Sequence, residues 1–362
     1  MKLSHFALAT AACIAAGNAC AQSNVTIGGI VDINLAHGSG SIANKSFVGS
    51  SGIGASQLRF TGVEDLGGQL RAGFWLDSML QPDSGAGTPT NTNNQASGGA
   101  AALAGSQGLT FNRRSTLSLG GPLGELRLGR DYTPSYWNLP VYDPFGNLGV
   151  GSTHTLNGAI TGATGVRASN AIAYYYGHAF NAFATGQSLQ GLNVGAMAYA
   201  GENASNAADA GSGNGASVRV GWTAPAWSVA AATGRTRNVA GDLRQTNLGG
   251  AYDFGVVRVM GHLVRDRNGA VTAKGYLLGL TAAVGIHQWR ASVSAYETDA
   301  PGRPKATKLA VGYVHNLSKR TAVYATGAVI DNEGGAAFGL NQAVTAPNAR
   351  SRGFDLGVRH SF

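Results

Sequence analysis

Cysteine is close to absent: the 362 residues contain two, Cys13 and Cys20, both near the N-terminus. The rest of the chain therefore has no disulfide framework, no thiolate metal site and no thiol nucleophile. Charge is scarce too, at 12 % of residues, and no apolar run of the ~18 residues that mark a spanning helix follows the N-terminal segment. The missing runs exclude a helical membrane protein, and low charge argues against a disordered chain. Catalytic signatures are lacking as well. No G-x-S-x-G elbow, Walker loop or H-E-x-x-H occurs, and His37, His154, His178, His262, His287, His315 and His360 stand singly. An enzyme, a resident metal and a cofactor are thus not expected.

What is present begins with MKLSHFALATAACIAAGNACAQ, which has a basic Lys2, an apolar stretch from Phe6 to Ala16 and the small triplet Ala19-Cys20-Ala21. This is the pattern of a secretory leader. Residues 1–21 are therefore set aside as a removed signal, and 22–362 are taken as one domain. The formal net charge of +8 suits an anion-handling surface in an exported protein better than nucleic-acid binding.

Helix signals are few, and short alternating segments recur along the chain. Val25-Ile27-Gly29-Val31-Ile33-Leu35 opposes Thr26, Asp32 and Asn34, and Leu70-Ala72-Phe74-Leu76 opposes Arg71, Gly73, Trp75 and Asp77. Leu309-Val311-Tyr313 opposes Lys308, and Phe354-Leu356-Val358-His360-Phe362 opposes Asp355 and Arg359. A period of two gives each segment one apolar and one polar face. Tight turns such as 64–68, 120–124, 223–226, 253–255 and 317–320 alternate with long segments rich in Gly, Asn, Ser, Thr and Ala at 37–52, 80–107, 131–166, 201–214 and 332–350. Short turns at one rim and long loops at the other describe an up-and-down outer-membrane barrel.

Sixteen strands are predicted, near 24–36, 53–63, 69–79, 108–119, 124–130, 167–177, 190–200, 215–223, 227–238, 244–253, 255–266, 272–283, 285–297, 306–316, 320–331 and 351–362. A closed barrel pairs every backbone group without leaving an edge, which hydrocarbon requires. A secreted sandwich or solenoid would bury its apolar faces, and would not repeat Arg on the polar faces or set Trp and Tyr near strand ends. Parity alone places Arg71, Arg127, Arg219, Arg258, Arg290, Lys308 and Arg359 in the lumen. Each is either a solvated wall charge, paired with an acid such as Asp77 or Asp355, or part of the transport path.

The stretches VTIGGIVDINL, RFTGVEDLGGQLRAGFWLDS and STLSLGGPLGELRLGRDYTPSYWNLPVYDPFG, with the final GVRHSF, resemble the general porins of Gram-negative outer membranes, in particular those of β-proteobacteria. The resemblance implies an all-β fold: a sixteen-stranded antiparallel transmembrane barrel whose long third loop folds into the lumen. It also implies homotrimers set in outer-membrane lipid and lipopolysaccharide, which pass small hydrophilic solutes and ions and have no nucleic-acid partner.

In such porins loop acids face a basic wall. Here the loop offers Asp131 and Asp143, and Arg59 and Arg167 match wall positions. For the next pair, resemblance and parity disagree. The family pattern places Arg113 on the wall, whereas outward Leu117 and Leu119 put Arg114, Thr116 and Ser118 inside; a bulge would reconcile them. The first strand departs from the family, with Gly28, Ile30, Asp32 and Asn34 inward where a basic group is usual. Phe362 resembles the terminal residue read by the outer-membrane assembly machinery, on a last strand that pairs with the first. The expected function is passive diffusion with mild anion preference. The alternatives are a channel selective for one sugar, phosphate or organic acid, and a surface adhesin.

Overall fold

The structure is a computed structural model that describes residues 24–96, 108–182 and 189–362. The expected leader, residues 1–21, lies outside the described residues. The chain begins with β1 (Asn24–Ser39), β2 (Lys45–Ser50), β3 (Gln57–Gly67), β4 (Leu70–Gln81), β5 (Ala86–Gly87), β6 (Arg114–Gly121) and β7 (Gly124–Tyr132). Two short helices follow, α1 (Asn138–Val141) and α2 (His154–Thr161), then β8 (Arg167–Tyr176), β9 (Gly191–Tyr199), β10 (Gly215–Thr223), β11 (Trp227–Thr236) and β12 (Leu243–Asp253). The chain ends with β13 (Val257–Asn268), β14 (Val271–Val284), β15 (His287–Thr298), β16 (Lys305–Asn316), β17 (Thr321–Glu333) and β18 (Ser351–Ser361).

Apart from β2 with β3 and β5 with β6, strands adjacent in sequence pair antiparallel, and β1 pairs β18 from Ile30↔Ser361 to Ser39↔Arg352, so the sheet closes on itself. At the seam Gly29 and Phe362 exchange backbone hydrogen bonds of 3.1 Å in both directions. Only glycine fits opposite that terminal ring, because a Cβ at Gly29 would lie 2.5 Å from Phe362 Cζ. Strand β5 is a two-residue hook on β4, outside the barrel wall. Strands β2 and β3 together make one stave, since β1 pairs β3 up to Ile30↔Gln57 and β2 from Ile33↔Ser50 onward. Among the described residues the wall therefore has sixteen staves, as the alternation predicts. Part of 37–52, expected to be a loop, is strand, because the upper half of β1 offers Lys45–Ser50 an unpaired edge.

Side chains sort by the solvent they meet. Val25, Ile27, Leu117, Leu119, Leu309, Val311, Phe354 and Leu356 are exposed on the outer face, whereas Asp32, Thr116, Ser118, Lys308 and Asp355 are buried inside. In water the outer band would be an aggregation surface; against acyl chains it costs nothing. Trp222, Trp227, Tyr252 and Trp289 stand exposed on the outer face beside the short-turn rim, where amphipathic rings sit at headgroup level.

Residues 51–56 leave the interrupted stave and fold inward over Asp32. Its Oδ2 accepts from the amides of Ile53 (2.9 Å) and Gly54 (2.6 Å), and its Oδ1 accepts from the Gly52 amide (3.2 Å) and the Tyr324 hydroxyl of β17. Its own amide donates to Ser56 Oγ at 3.0 Å. The acid on the inward face of the first strand is thus a rivet joining β1, the inward segment and β17. Asp32→Ala strands these donors in a buried place, at about 1–3 kcal/mol for each unsatisfied group. The expected outcome is a lower temperature for loss of the compact, fast-migrating form on SDS gels; an unchanged transition would show that residues 51–56 stay folded without the carboxylate.

The candidate pore constriction

Residues 133–166 connect β7 to β8 and run inside the barrel. The Ser135 amide donates to Ser217 Oγ of β10 (2.8 Å), and Asn138 Nδ2 donates to the Ala230 carbonyl of β11 (2.9 Å) and to Asn247 Oδ1 of β12 (2.8 Å). Lys308 of β16 donates to the Ser152 carbonyl at 2.6 Å, and the Val150 amide donates to Asp355 Oδ2 of β18 at 2.7 Å. The loop therefore steps from stave to stave along the inner wall. Small inward residues make its seats. A Cβ at Gly249, Gly279 or Gly312 would meet Tyr142, Pro144 or Phe145 at 2.0, 2.3 and 2.9 Å respectively.

Asp143 is spent within the loop. Its Oδ1 accepts from the Phe145 amide (2.8 Å) and its Oδ2 from the Thr153 amide (3.1 Å). Burial pushes its carboxyl above the usual range, opposed by these amides and by the positive charge of Lys308.

On the inner wall, Arg59, Asp77 and Arg114 form one cross-strand row over β3, β4 and β6. Arg113 Nε reaches Asp77 Oδ2 at 3.0 Å. The Trp75 ring lies 5.1 Å from the Arg59 guanidinium and 4.7 Å from that of Arg114. Tyr132 takes the Arg167 guanidinium against its face at 4.3 Å and accepts its hydrogen bond at 2.7 Å. Such stacking holds an arginine in place while leaving its charge uncancelled.

Behind this row is a sealed cluster. Arg127 pairs with Glu125 at 2.7 Å and Asp131 at 3.0 Å, and Arg114 lies 3.9 and 3.8 Å from the same two acids. Two arginines against two carboxylates leave no net charge there. By contrast Arg59, Arg167, Arg290 and Arg359 have no carboxylate within 4.0 Å among the described residues. Asp77 is within electrostatic reach of Arg113, Arg167 and Arg59 together, so positive charge exceeds negative at this wall.

Residues 7–335 match the model of the Gram-negative porin family. The chain is a Gram-negative porin. The outer membrane porin protein 32 of Delftia acidovorans is 34 % identical over 392 residues, spanning all of both chains. A solved anion-selective porin from Comamonas acidovorans is 30 % identical with a TM-score of 0.78, over 94 % of this chain and all of that one. Salmonella typhi OmpF, solved with daunomycin, shares the fold at 13 % identity, with a TM-score of 0.65 over 93 % of this chain and 97 % of that one. This porin is accordingly a non-enzymatic outer-membrane channel, of a family whose members are typically trimeric.

The porin brings Arg59, Arg113, Arg114 and Arg167 together, but it sorts the remaining expected residues by role. Arg113 and Arg114 both point inward: Arg114 is the first residue of β6, and Arg113, just before it, donates its amide to the Asp77 carbonyl. Asp131 is the penultimate residue of β7 and not on the loop, because strand pairing continues to Tyr132↔Arg167. Arg219, which donates to Asn138 Oδ1 (2.8 Å) and Asn193 Oδ1 (2.7 Å), tethers the loop, as does Lys308. Arg71 and Arg258 keep lumen parity near the short-turn rim, each the second residue of its strand.

Parity alone puts Trp75 on the inward face, and nothing in the sequence singles out Tyr132 or Glu125 as a partner of the arginines. Glu125 shares inward parity with Arg127 in GELRLGR, which is the one signal available. Nothing announced that Asn181 and Ala182, in the connection after β8, would accept from Arg114 at 3.0 and 2.8 Å. Filling one seat tests the loop's position. Gly249→Leu should displace Tyr142 and raise single-channel conductance in porin whose heat-modifiable gel mobility is normal; unchanged conductance would show that the loop does not set the aperture.

Proposed function

We propose that this porin is a general diffusion channel with mild anion preference, acting as a homotrimer. Solutes cross by size between the seated loop and the arginine wall, and uncancelled positive charge raises the local anion concentration. The observation that carries the reading is the division of lumen arginines into paired and unpaired ones, with Arg59, Arg167, Arg290 and Arg359 unpaired. Arg113, held on Asp77, positions the row. Asp131 and Asp143 serve as braces, so the loop contributes little opposing negative charge. The anion-selective porin at 30 % identity supports the same direction. Arg71 and Arg258 extend the basic lining towards the short-turn rim.

Two further roles belong to the ends of the chain. Residues 1–21 are the leader removed on export, which leaves 22–362 as one barrel. Phe362 is read by the assembly machinery as well as closing the seam, and lipopolysaccharide surrounds the outer band on the long-loop side.

Reversal potentials of reconstituted porin in a KCl gradient should favour chloride, and Arg59→Glu with Arg167→Glu should turn the preference towards potassium. A cation preference in the unaltered porin would overturn the reading, and specific block by one solute at low concentration would favour a selective channel. Deleting Phe362 should lower the yield of folded porin in the outer membrane while leaving the conductance of the assembled fraction unchanged. Equal yield would remove the assembly role.

A further inference from the structure

The outer face carries a groove that the channel function does not use. Outward residues pair in layers across β15 to β18: Trp289↔Tyr313↔Ala325↔Leu356, and next to it Ala291↔Val311↔Gly327↔Phe354. On β17 the two central positions are Ala325 and Gly327, both exposed, and a Cβ built on Gly327 meets nothing within 4 Å. Flanked by Tyr313 and Val311 on one side and Leu356 and Phe354 on the other, they floor a valley of about 390 Å³. Strands are spaced ~4.8 Å apart, so a valley one strand wide has room for a single extended chain and not for a packed protein surface.

Between the valley and the short-turn rim the outward residues are Val323 and Val358, and the rim beyond them is basic. The next outward layer holds His287 and His315, His360 bonds Thr321 at 2.9 Å, and the turn after β16 exposes Lys319 and Arg320. No acidic side chain shares this corner among the described residues: Glu297, Asp331 and Glu333 lie at the opposite end of their strands, and Asp355 is buried inside. The Phe362 carbonyl oxygen is engaged by the Gly29 amide of β1. Short turns face the periplasm in such barrels.

We propose that this groove binds one anionic phospholipid of the periplasmic leaflet, with an acyl chain along Ala325 and Gly327 and the headgroup phosphate at Lys319 and Arg320. The proposal rests on the barrel standing in a membrane and is independent of the ion preference.

The test is native mass spectrometry of the full porin in detergent, with 1-palmitoyl-2-oleoyl phosphatidylglycerol or the corresponding phosphatidylcholine as probe. The expected result is one retained phosphatidylglycerol per chain and weaker retention of phosphatidylcholine. Gly327→Phe fills the valley and should cut retention of both lipids about tenfold, the scale of burying a small fraction of a chain. Its conductance should be unchanged, and Ala325→Leu replaces it if it fails to fold. Lys319→Glu with Arg320→Glu should abolish the preference for phosphatidylglycerol. No retained lipid, or retention insensitive to Gly327→Phe, would overturn the proposal. So would chain-to-chain crosslinking through Gly327→Cys, a clean probe because no native cysteine occurs beyond position 20, since that result makes the groove a subunit contact.

Discussion

Every feature of this porin follows from the need of a backbone in hydrocarbon to pair each N–H and C=O within the protein. The ladder from β1 round to β18 and back meets that need only when closed, which is why the seam is so constrained at Gly29 and Phe362. Closure forces side chains to alternate between two solvents, and the polar face, turned inward, becomes a place where charges can be arranged. The same constraint explains residues 51–56. A stave may be interrupted only where the freed amides find acceptors, and Asp32 supplies them from inside.

The lumen holds many more charges than it displays. A buried guanidinium without an acceptor is expensive, so Arg114 and Arg127 are surrounded by Glu125, Asp131, Asn181 and the Ala182 carbonyl. Lys308 and Arg219 are used up in holding the loop. Arg59 and Arg167 instead lie on aromatic faces, which order the side chain without neutralising it. The lumen's lysines and arginines therefore differ in how they are partnered, which a count of them does not reveal.

Strand positions were legible because alternation over a closed wall is a strong local signal. From the sequence, Arg127 and Arg359 look alike: both lie on the polar face of an amphipathic strand. What separates them is distant in the chain, since the Ala182 carbonyl lies 55 residues beyond Arg127. Asp131 reads as a loop residue because strand pairing beyond a register shift leaves no mark in the local pattern. The seats at Gly249, Gly279 and Gly312 were also hidden, because a glycine on an inward face reads as weak strand character until the aromatic that fills the space is known. Arg113 and Arg114 both face inward without a bulge between them. The strand starts at Arg114, so Arg113 is free of the parity rule.

The loop's tip is fastened to Asp355, 205 residues further along the chain and on the last strand. Until that strand is in place the Val150 amide has no acceptor, and Asp32 has no hydroxyl from Tyr324. The tip of the loop therefore gains this tether only where the wall closes. The strand that seals the wall against β1 thus also carries the acceptor for the loop's tip, so one element serves both closure and the position of the passage.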